Sequence, residues 1–363
     1  MEKVKKYLVT GATGHIGVAL LHELKAQNKF VRVMVVPGEN YAYIKGLYDE
    51  LVFADVTSKS SLFMAFKDID SVFHLAGIIT IGAEDKKLLK SVNIEGTKNV
   101  LEAAKNAKVK RLVYTSSVHA INVLKKGAKM TEQKSYSPKK LTGEYAKSKA
   151  TATQLVMDAN GEYLETIVTF PSGVIGPYAY KRSNIGQLIM DYKNKKIPMF
   201  FKGAYNYVDV RDVAHGLARA EEVGRAGEGY ILSGHAMGVE DMLKILETET
   251  GIKRPKSKIP VKLLQIVMPL AELYYKVRNL KPVFTRYSLY TLNVNCDFSS
   301  EKAQKELGFN PRPLEESFKD EIKFMLGEKP KNKEEFEPTS KTTINAAKPH
   351  KSAINENTHT NEK

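Results

Sequence analysis

Thr10-Gly11-Ala12-Thr13-Gly14-His15-Ile16-Gly17 is the stretch whose reading decides the fold of this chain. It follows an apolar, β-branched run at residues 6–10 and opens an amphipathic pattern over 15–27. The glycines therefore stand at a strand-to-helix turn, the context that separates a phosphate-binding loop from a chance glycine pattern. Gly11 permits the tight turn, Gly14 lets a pyrophosphate approach the backbone, and Gly17 allows close helix–strand packing. The first N–H groups of a helix have no intrahelical partner and sit at its positive end, which suits a phosphate anion.

Working outward, short apolar runs at 31–36, 51–54, 71–76, 111–116 and 165–170 read as further strands buried on both faces. Helical patterns over 58–66, 85–106 and 143–160 alternate with them. The β-α-β rhythm predicts an α/β fold: a Rossmann-type, doubly wound parallel sheet with right-handed crossovers. After residue 171 the rhythm loosens into helices predicted over 184–195, 210–222, 239–250, 261–278, 299–307 and 314–326. The expected organisation is a dinucleotide-binding core over 1–170, a smaller and mostly helical substrate lobe over 171–328 that partly returns to the core, and a polar, disordered tail over 329–363.

Composition narrows the class. The chain has 363 residues, 42% of them apolar and 27% charged, which argues against a collagen-like, multi-span or largely disordered protein. A single cysteine, Cys296, excludes an intrachain disulfide framework and any Cys-based zinc site. The histidines at 74, 119 and 215 have no metal-ligand spacing, so no metal is expected. No apolar h-region precedes Gly11, so no secretory signal is expected and a cytoplasmic location is. The net charge of +15 resolves into two regions: 105–149, with twelve Lys/Arg against two Glu, and 251–286, with nine against one. The second is basic and amphipathic, either a lobe helix with its apolar face inward or a peripheral contact with anionic membrane through 261–286. The basic residues are not interleaved with a nucleic-acid reader motif, so no nucleic-acid partner is expected.

Tyr145-Ala146-Lys147-Ser148-Lys149 carries the chemistry. Tyr145 and Lys149 stand four apart on one helix face. A free tyrosine titrates near 10, and an adjacent ammonium is expected to bring it toward working pH as a general acid/base. The alternative is a solvated helix face.

With the Gly-x-x-Gly-x-x-Gly spacing, these features resemble the extended branch of the short-chain dehydrogenase/reductase superfamily, the NAD(P)-dependent epimerases, dehydratases and dihydroflavonol-reductase-like enzymes. The resemblance covers roughly residues 5–326. It implies that Gly11, Thr13, Gly14, His15, Ile16 and Gly17 meet the pyrophosphate, that Asp55 and Val56 contact adenine, and that His74-Leu75-Ala76-Gly77 lies beside the adenine ribose. Asn93 matches the family's Asn-x-x-Gly-Thr helix, and Lys149 is implied to bond the nicotinamide ribose. Thr115 and the turn opened by Pro171, Pro171-Ser172-Gly173-Val174-Ile175-Gly176-Pro177, complete the implied cofactor site. Ser117, 28 residues before Tyr145, matches the serine that bonds the substrate oxygen, with Ser116 the alternate. Tyr207-Val208-Asp209-Val210-Arg211-Asp212 resembles the signature opening the second lobe.

The second strand closes on Val35-Val36-Pro37-Gly38-Glu39, with neither the acidic residue of NAD binders nor the arginine of NADP binders at its end. Glu39 points to NAD, Arg32 and Lys45 to NADP; with no acidic strand end to repel a phosphate, NADP is slightly favoured and NAD stays open. The Ser172-Gly173 turn lacks the asparagine of nucleotide-sugar epimerases. The expectation is therefore an oxidoreductase acting on a carbonyl/alcohol pair of a small, fairly apolar molecule. Sugar epimerisation is the runner-up, and a binding protein without turnover belongs to another class. Lysines at 125, 126, 129, 134, 139 and 140, between Ser117 and Tyr145, either attract an anionic substrate or are merely solvated. The resemblance also implies a homodimer formed through the helices over 85–106 and 143–160.

Overall fold

The computed structural model describes residues 4–79, 85–181, 183–261, 263–264, 286–327 and 342–344. Its strands are β1 (Lys6–Thr10), β2 (Phe30–Val35), β3 (Glu50–Phe53), β4 (Ser71–His74), β5 (Arg111–Thr115), β6 (Glu165–Pro171), β7 (Gly173–Ile175), β8 (Ala204–Asp209), β9 (Gly229–Leu232), β10 (His235–Gly238) and β11 (Thr342–Ile344). The main sheet is parallel, in the order β11-β3-β2-β1-β4-β5-β6-β9. From β1 the chain winds outward to β3, then crosses back to β4 and winds outward the other way. The switch falls between β1 and β4, where doubly wound sheets open a crevice at the strands' carboxyl ends. In their shared register Thr10 lies opposite His74.

The helices are α1 (His15–Ala26), α2 (Lys59–Phe66), α3 (Lys86–Leu89), α4 (Gly96–Asn106), α5 (Glu144–Asp158), α6 (Asn184–Lys193), α7 (Val210–Val223), α8 (Val239–Thr250), α9 (Arg286–Thr291), α10 (Glu301–Leu307) and α11 (Leu314–Met325). Both faces of the sheet are covered. Leu8 points to a core completed by Leu62, Val100 and Val156 of α2, α4 and α5. Its neighbour Val9 points to the opposite core, with Leu20, Val213 and Leu307 of α1, α7 and α10. Burial on both sides explains why the strands read as continuous apolar runs.

A second, three-stranded sheet, β10-β8-β7, packs with α6, α8 and α11 around Ile175, Ile189, Leu246 and Phe318. The segment after residue 171 is not separate from the core, since β9 pairs with β6 and α7 and α10 pack on the main sheet.

Element ends fall within one or two residues of expectation, with one difference of substance. The helix predicted over 85–106 is α3, a π-helical stretch over Lys90–Glu95, and α4. The helix predicted over 261–278 lies largely outside the described residues. Within the stretch predicted as a polar, disordered tail, residues 342–344 form β11, paired in parallel with β3. The rest of that stretch lies outside the described residues. Among the described residues, no helix is long and apolar enough to cross a membrane.

Candidate active site

The glycine loop fills the switch point. Gly11 has φ +69°, and a Cβ there would lie 2.7 Å from Ala76 N and 2.8 Å from Leu75 C. It is needed for the turn and equally for the close approach of the segment leaving β4. A Cβ on Gly17 would stand 2.3 Å from the Gly11 carbonyl oxygen and 2.8 Å from Ala12 C. This corrects the expected role of Gly17: the helix presses on its own loop rather than on a strand. Gly14 is the α1 N-cap, and no side chain caps the helix. Its open N–H end therefore faces the crevice.

Thr13 is buried; its carbonyl accepts from Tyr43 Oη at 2.9 Å and its hydroxyl from Lys181 Nζ at 3.0 Å. His15 donates from Nε2 to the Pro177 carbonyl at 2.8 Å, tying loop to turn, and burial lowers its pKa. Ile16 is half-buried at the edge of the α1 core.

The remaining predicted cofactor residues gather around this loop at the strand ends. The Asp55 carboxylate accepts from Thr57 N and Oγ1, both at 2.8 Å. Val56 is buried against Gly96, where a Cβ would meet Val56 Cγ2 at 2.7 Å. Leu75 and Ala76 are half-buried and Gly77 is exposed. His74 does not line this wall, because it is wholly buried between Thr10 and Thr97.

Asn93 sits in the π-helical stretch and accepts from Ile78 N at 2.9 Å. Its amide donates to Ile78 O at 3.1 Å and to Ser148 Oγ at 3.0 Å, fastening the segment after β4 to α5. π-helical segments tend to occur at such functional positions. Thr115 Oγ1 and Ser172 Oγ, at the ends of β5 and β6, are buried with no partner among the described residues. Pro171 is buried and pairs with Leu232 of β9. An open helix N-terminus, a glycine cradle and two orphaned hydroxyls are a donor and acceptor set that fits a dinucleotide.

Beside the end of β2, two of the residues weighed for cofactor choice are otherwise engaged. Arg32 is buried; its Nε donates to Glu50 at 2.6 Å and its Nη1 to the carbonyls of Ala65 and Lys67 at 3.1 and 2.7 Å. It is structural, and its vote for NADP is withdrawn. Glu39 forms an ion pair with Lys181, the same ammonium that reaches Thr13. Val36 and Lys45 remain exposed.

The residues predicted to be catalytic lie on α5 and just after β5. Tyr145 and Lys149 are both buried, at 6% exposure each. Ser117 lies beside the Tyr145 phenol and lowers its pKa against burial, while its own oxygen accepts from His119 N at 3.3 Å. Ser116 instead pairs with Thr153 Oγ1 at 2.6 Å inside the core. Between the two alternates, geometry brings Ser117 to the tyrosine.

The expected effect of lysine on tyrosine is reversed. Lys149 Nζ donates to Tyr114 Oη at 3.0 Å and to the Thr115 carbonyl at 2.8 Å, not to Tyr145. Burial pushes Tyr145 up to about 12 and Lys149 down to about 7. Desolvation penalises both charged forms, and without a direct contact no pairing offsets it.

Sequence reasoning missed Tyr205. Its hydroxyl pairs with His119 Nε2 at 3.2 Å, and the His119 ring meets Tyr145 edge-on, centroids 5.8 Å apart. Burial lowers His119 to about 4, so it is neutral. His215 pairs with Glu23 at 2.9 Å, away from this group. Among the described residues no His/Cys/Asp/Glu group could hold a metal ion. A cavity of about 820 Å³ opens on the other face of β8, lined by Asn206, His235, Cys296, Lys126 and Lys202.

Fold and site together define a nucleotide-binding enzyme of the doubly wound class. The model of the NAD dependent epimerase/dehydratase family matches residues 7–232. The chain belongs to that family, within the extended short-chain dehydrogenase/reductases. Sterol demethylase protein B of Methylococcus capsulatus is 30% identical over 319 residues, spanning 87% of this chain and 96% of that protein. The 4-hydroxy-2-methyl-3-oxo-4-farnesyl-3,4-dihydroquinoline-1-oxide ketoreductase of Stigmatella aurantiaca is 28% identical, over 84% and 91% of the two chains. The crystal structure of gox2253 superposes with a TM-score of 0.78 at 32% identity, covering 90% of this chain and 99% of that one.

Proposed function

We propose that the protein interconverts a carbonyl and an alcohol on a small, fairly apolar molecule, with Tyr145 as general acid/base. The observation that carries this reading is the buried contact of Ser117 with Tyr145 at the carboxyl end of β5, beside Lys149. The glycine loop, Asn93, Thr115 and the turn after Pro171 would hold NAD(P), with NADP slightly favoured because no acidic side chain ends β2 and Glu39 is already paired with Lys181. When bound, the dinucleotide supplies or accepts the hydride.

The protein's own residues handle the proton. At about 12, Tyr145 keeps its phenol proton at neutral pH, held for a developing alkoxide. Ser117 would orient the substrate oxygen toward it. Neutral His119, backed by Tyr205, packs against the Tyr145 ring and would keep bulk water from it. Support also comes from the likeness to a ketoreductase and from the Ser172-Gly173 turn, which lacks an epimerase's asparagine.

The test supplies NADPH or NADH with a panel of apolar ketones and, in parallel, nucleotide sugars. Oxidation of the dinucleotide in step with ketone loss is expected. Conversion of a sugar with no net change in dinucleotide would replace this reading with epimerisation. Because the chain has no Trp, cofactor fluorescence can be titrated without interference to rank the two dinucleotides. Peripheral contact with anionic membrane through 261–286 and a homodimer remain proposals, tested by liposome flotation and by sedimentation. Flotation at low salt and a dimeric mass are the expected results.

A further inference from the structure

A chain of buried polar side chains runs from the glycine loop to Lys149. Ala76 N–H donates to Thr10 Oγ1 at 3.2 Å, and the same oxygen pairs with His74 Nδ1 at 2.8 Å. Because the Thr97 hydroxyl donates to the Asn93 carbonyl, His74 carries its proton on Nε2, donates it to Thr97 Oγ1 at 3.1 Å, and accepts at Nδ1 from Thr10. Thr97 directs its own proton to the Asn93 carbonyl at 2.8 Å and lies beside the Tyr114 hydroxyl, whose pKa it lowers against burial. An ammonium can only donate, so the Tyr114 oxygen accepts from Lys149 Nζ at 3.0 Å. Thr10, His74, Thr97, Tyr114 and Lys149 are all buried.

We propose that Tyr114 is the positioning residue of the site: its phenol oxygen, oriented by the Thr97–His74–Thr10 chain, holds the Lys149 side chain and favours its ammonium form. The proposal rests on the functional reading above only in making Lys149 part of the site. The titratable groups around Lys149 are Tyr114 on β5, His74 on β4 and Tyr145 on its own helix. His74, held low by burial and by Lys149, stays neutral and brings no compensating charge. In a dry pocket, an accepting oxygen stabilises the charged amine against desolvation.

The test is an NMR pH titration of Lys149 in protein carrying 13C-labelled lysine, with the signal assigned by Lys149→Arg. In Tyr114→Phe the ring stays and the acceptor goes. The Lys149 midpoint is expected to fall by about one pH unit, the size of one charge-assisted hydrogen bond. Should Tyr114→Phe fold poorly, Thr97→Val breaks the chain one link away. Losing the hydroxyl that lowers the Tyr114 pKa makes the phenol oxygen a poorer acceptor for the ammonium, so the Lys149 midpoint is expected to fall in the same direction. Thr97→Ser keeps the hydroxyl and is expected to leave the midpoint where it is. An unchanged midpoint in Tyr114→Phe or Thr97→Val would overturn the proposal. The readout needs no substrate, so a Tyr145→Phe protein that kept its turnover would sink the catalytic reading and leave this result standing.

Discussion

Tyr145 and Lys149 share a dry pocket, and burial drives each toward its neutral form, so the tyrosine is an acid at neutral pH while the lysine stands near its midpoint. That division suits proton delivery to an alkoxide better than a preformed phenolate would. At the same scale, Gly17 has no room for a methyl group, since its Cβ would lie 2.3 Å from a backbone oxygen that cannot move aside. Gly17→Ala is expected to cost about 2 kcal/mol or more of stability and to weaken dinucleotide binding at least tenfold. Thermal unfolding and fluorescence titration check the two effects. The glycines, the Tyr–Lys pair and Ser117 were legible because their types and spacings are local. Tyr114, Tyr205 and Lys181 were not, since they acquire meaning only from partners 35, 86 and 168 residues away.

Among the elements, the helix predicted over 85–106 was visible as an apolar period. Its π-helical stretch was not, because the register shift that aims Asn93 at Ile78 and Ser148 leaves no mark in that period. Helix α11 holds a second feature hidden from sequence. Glu321, 1% exposed, accepts from Gly176 N at 3.2 Å and lies near Asp209. Burial first, and the Asp209 charge after it, raise its pKa to about 8. Folding therefore favours the protonated acid. Between the ordinary carboxylate value and about 8 the folded state binds the extra proton, so stability falls as pH rises through that window. Glu321→Gln keeps an acceptor for Gly176 and removes the ionisation. Its Tm is expected to decline less between pH 5 and 8 than that of the native protein. Parallel declines would contradict this account of Glu321.

For the molecule as a whole, the doubly wound architecture was legible because strands buried on both faces and amphipathic crossovers impose it. The way β9 and α7 return to the core was only partly so. Part of the +15 charge lies in the loop between Ser117 and Tyr145, where Lys125, Lys126, Lys134, Lys139 and Lys140 are exposed and Lys129 is paired with Glu301 at 3.0 Å. Lys126 and Lys202 border the 820 Å³ cavity and form no ion pair with a described residue. For an anionic substrate, kcat/KM is expected to fall severalfold as ionic strength rises past the point where the Debye length drops to about 8 Å. A salt-independent value would return these lysines to plain solvation.

The claim on which the rest depends is that Tyr145 moves the proton. Its most direct test is Tyr145→Phe, followed at once by dinucleotide binding and by turnover of whichever ketone the native protein reduces. The expected result is cofactor affinity within about threefold of native, with kcat reduced by about a hundredfold or more. Turnover retained with native affinity would contradict it.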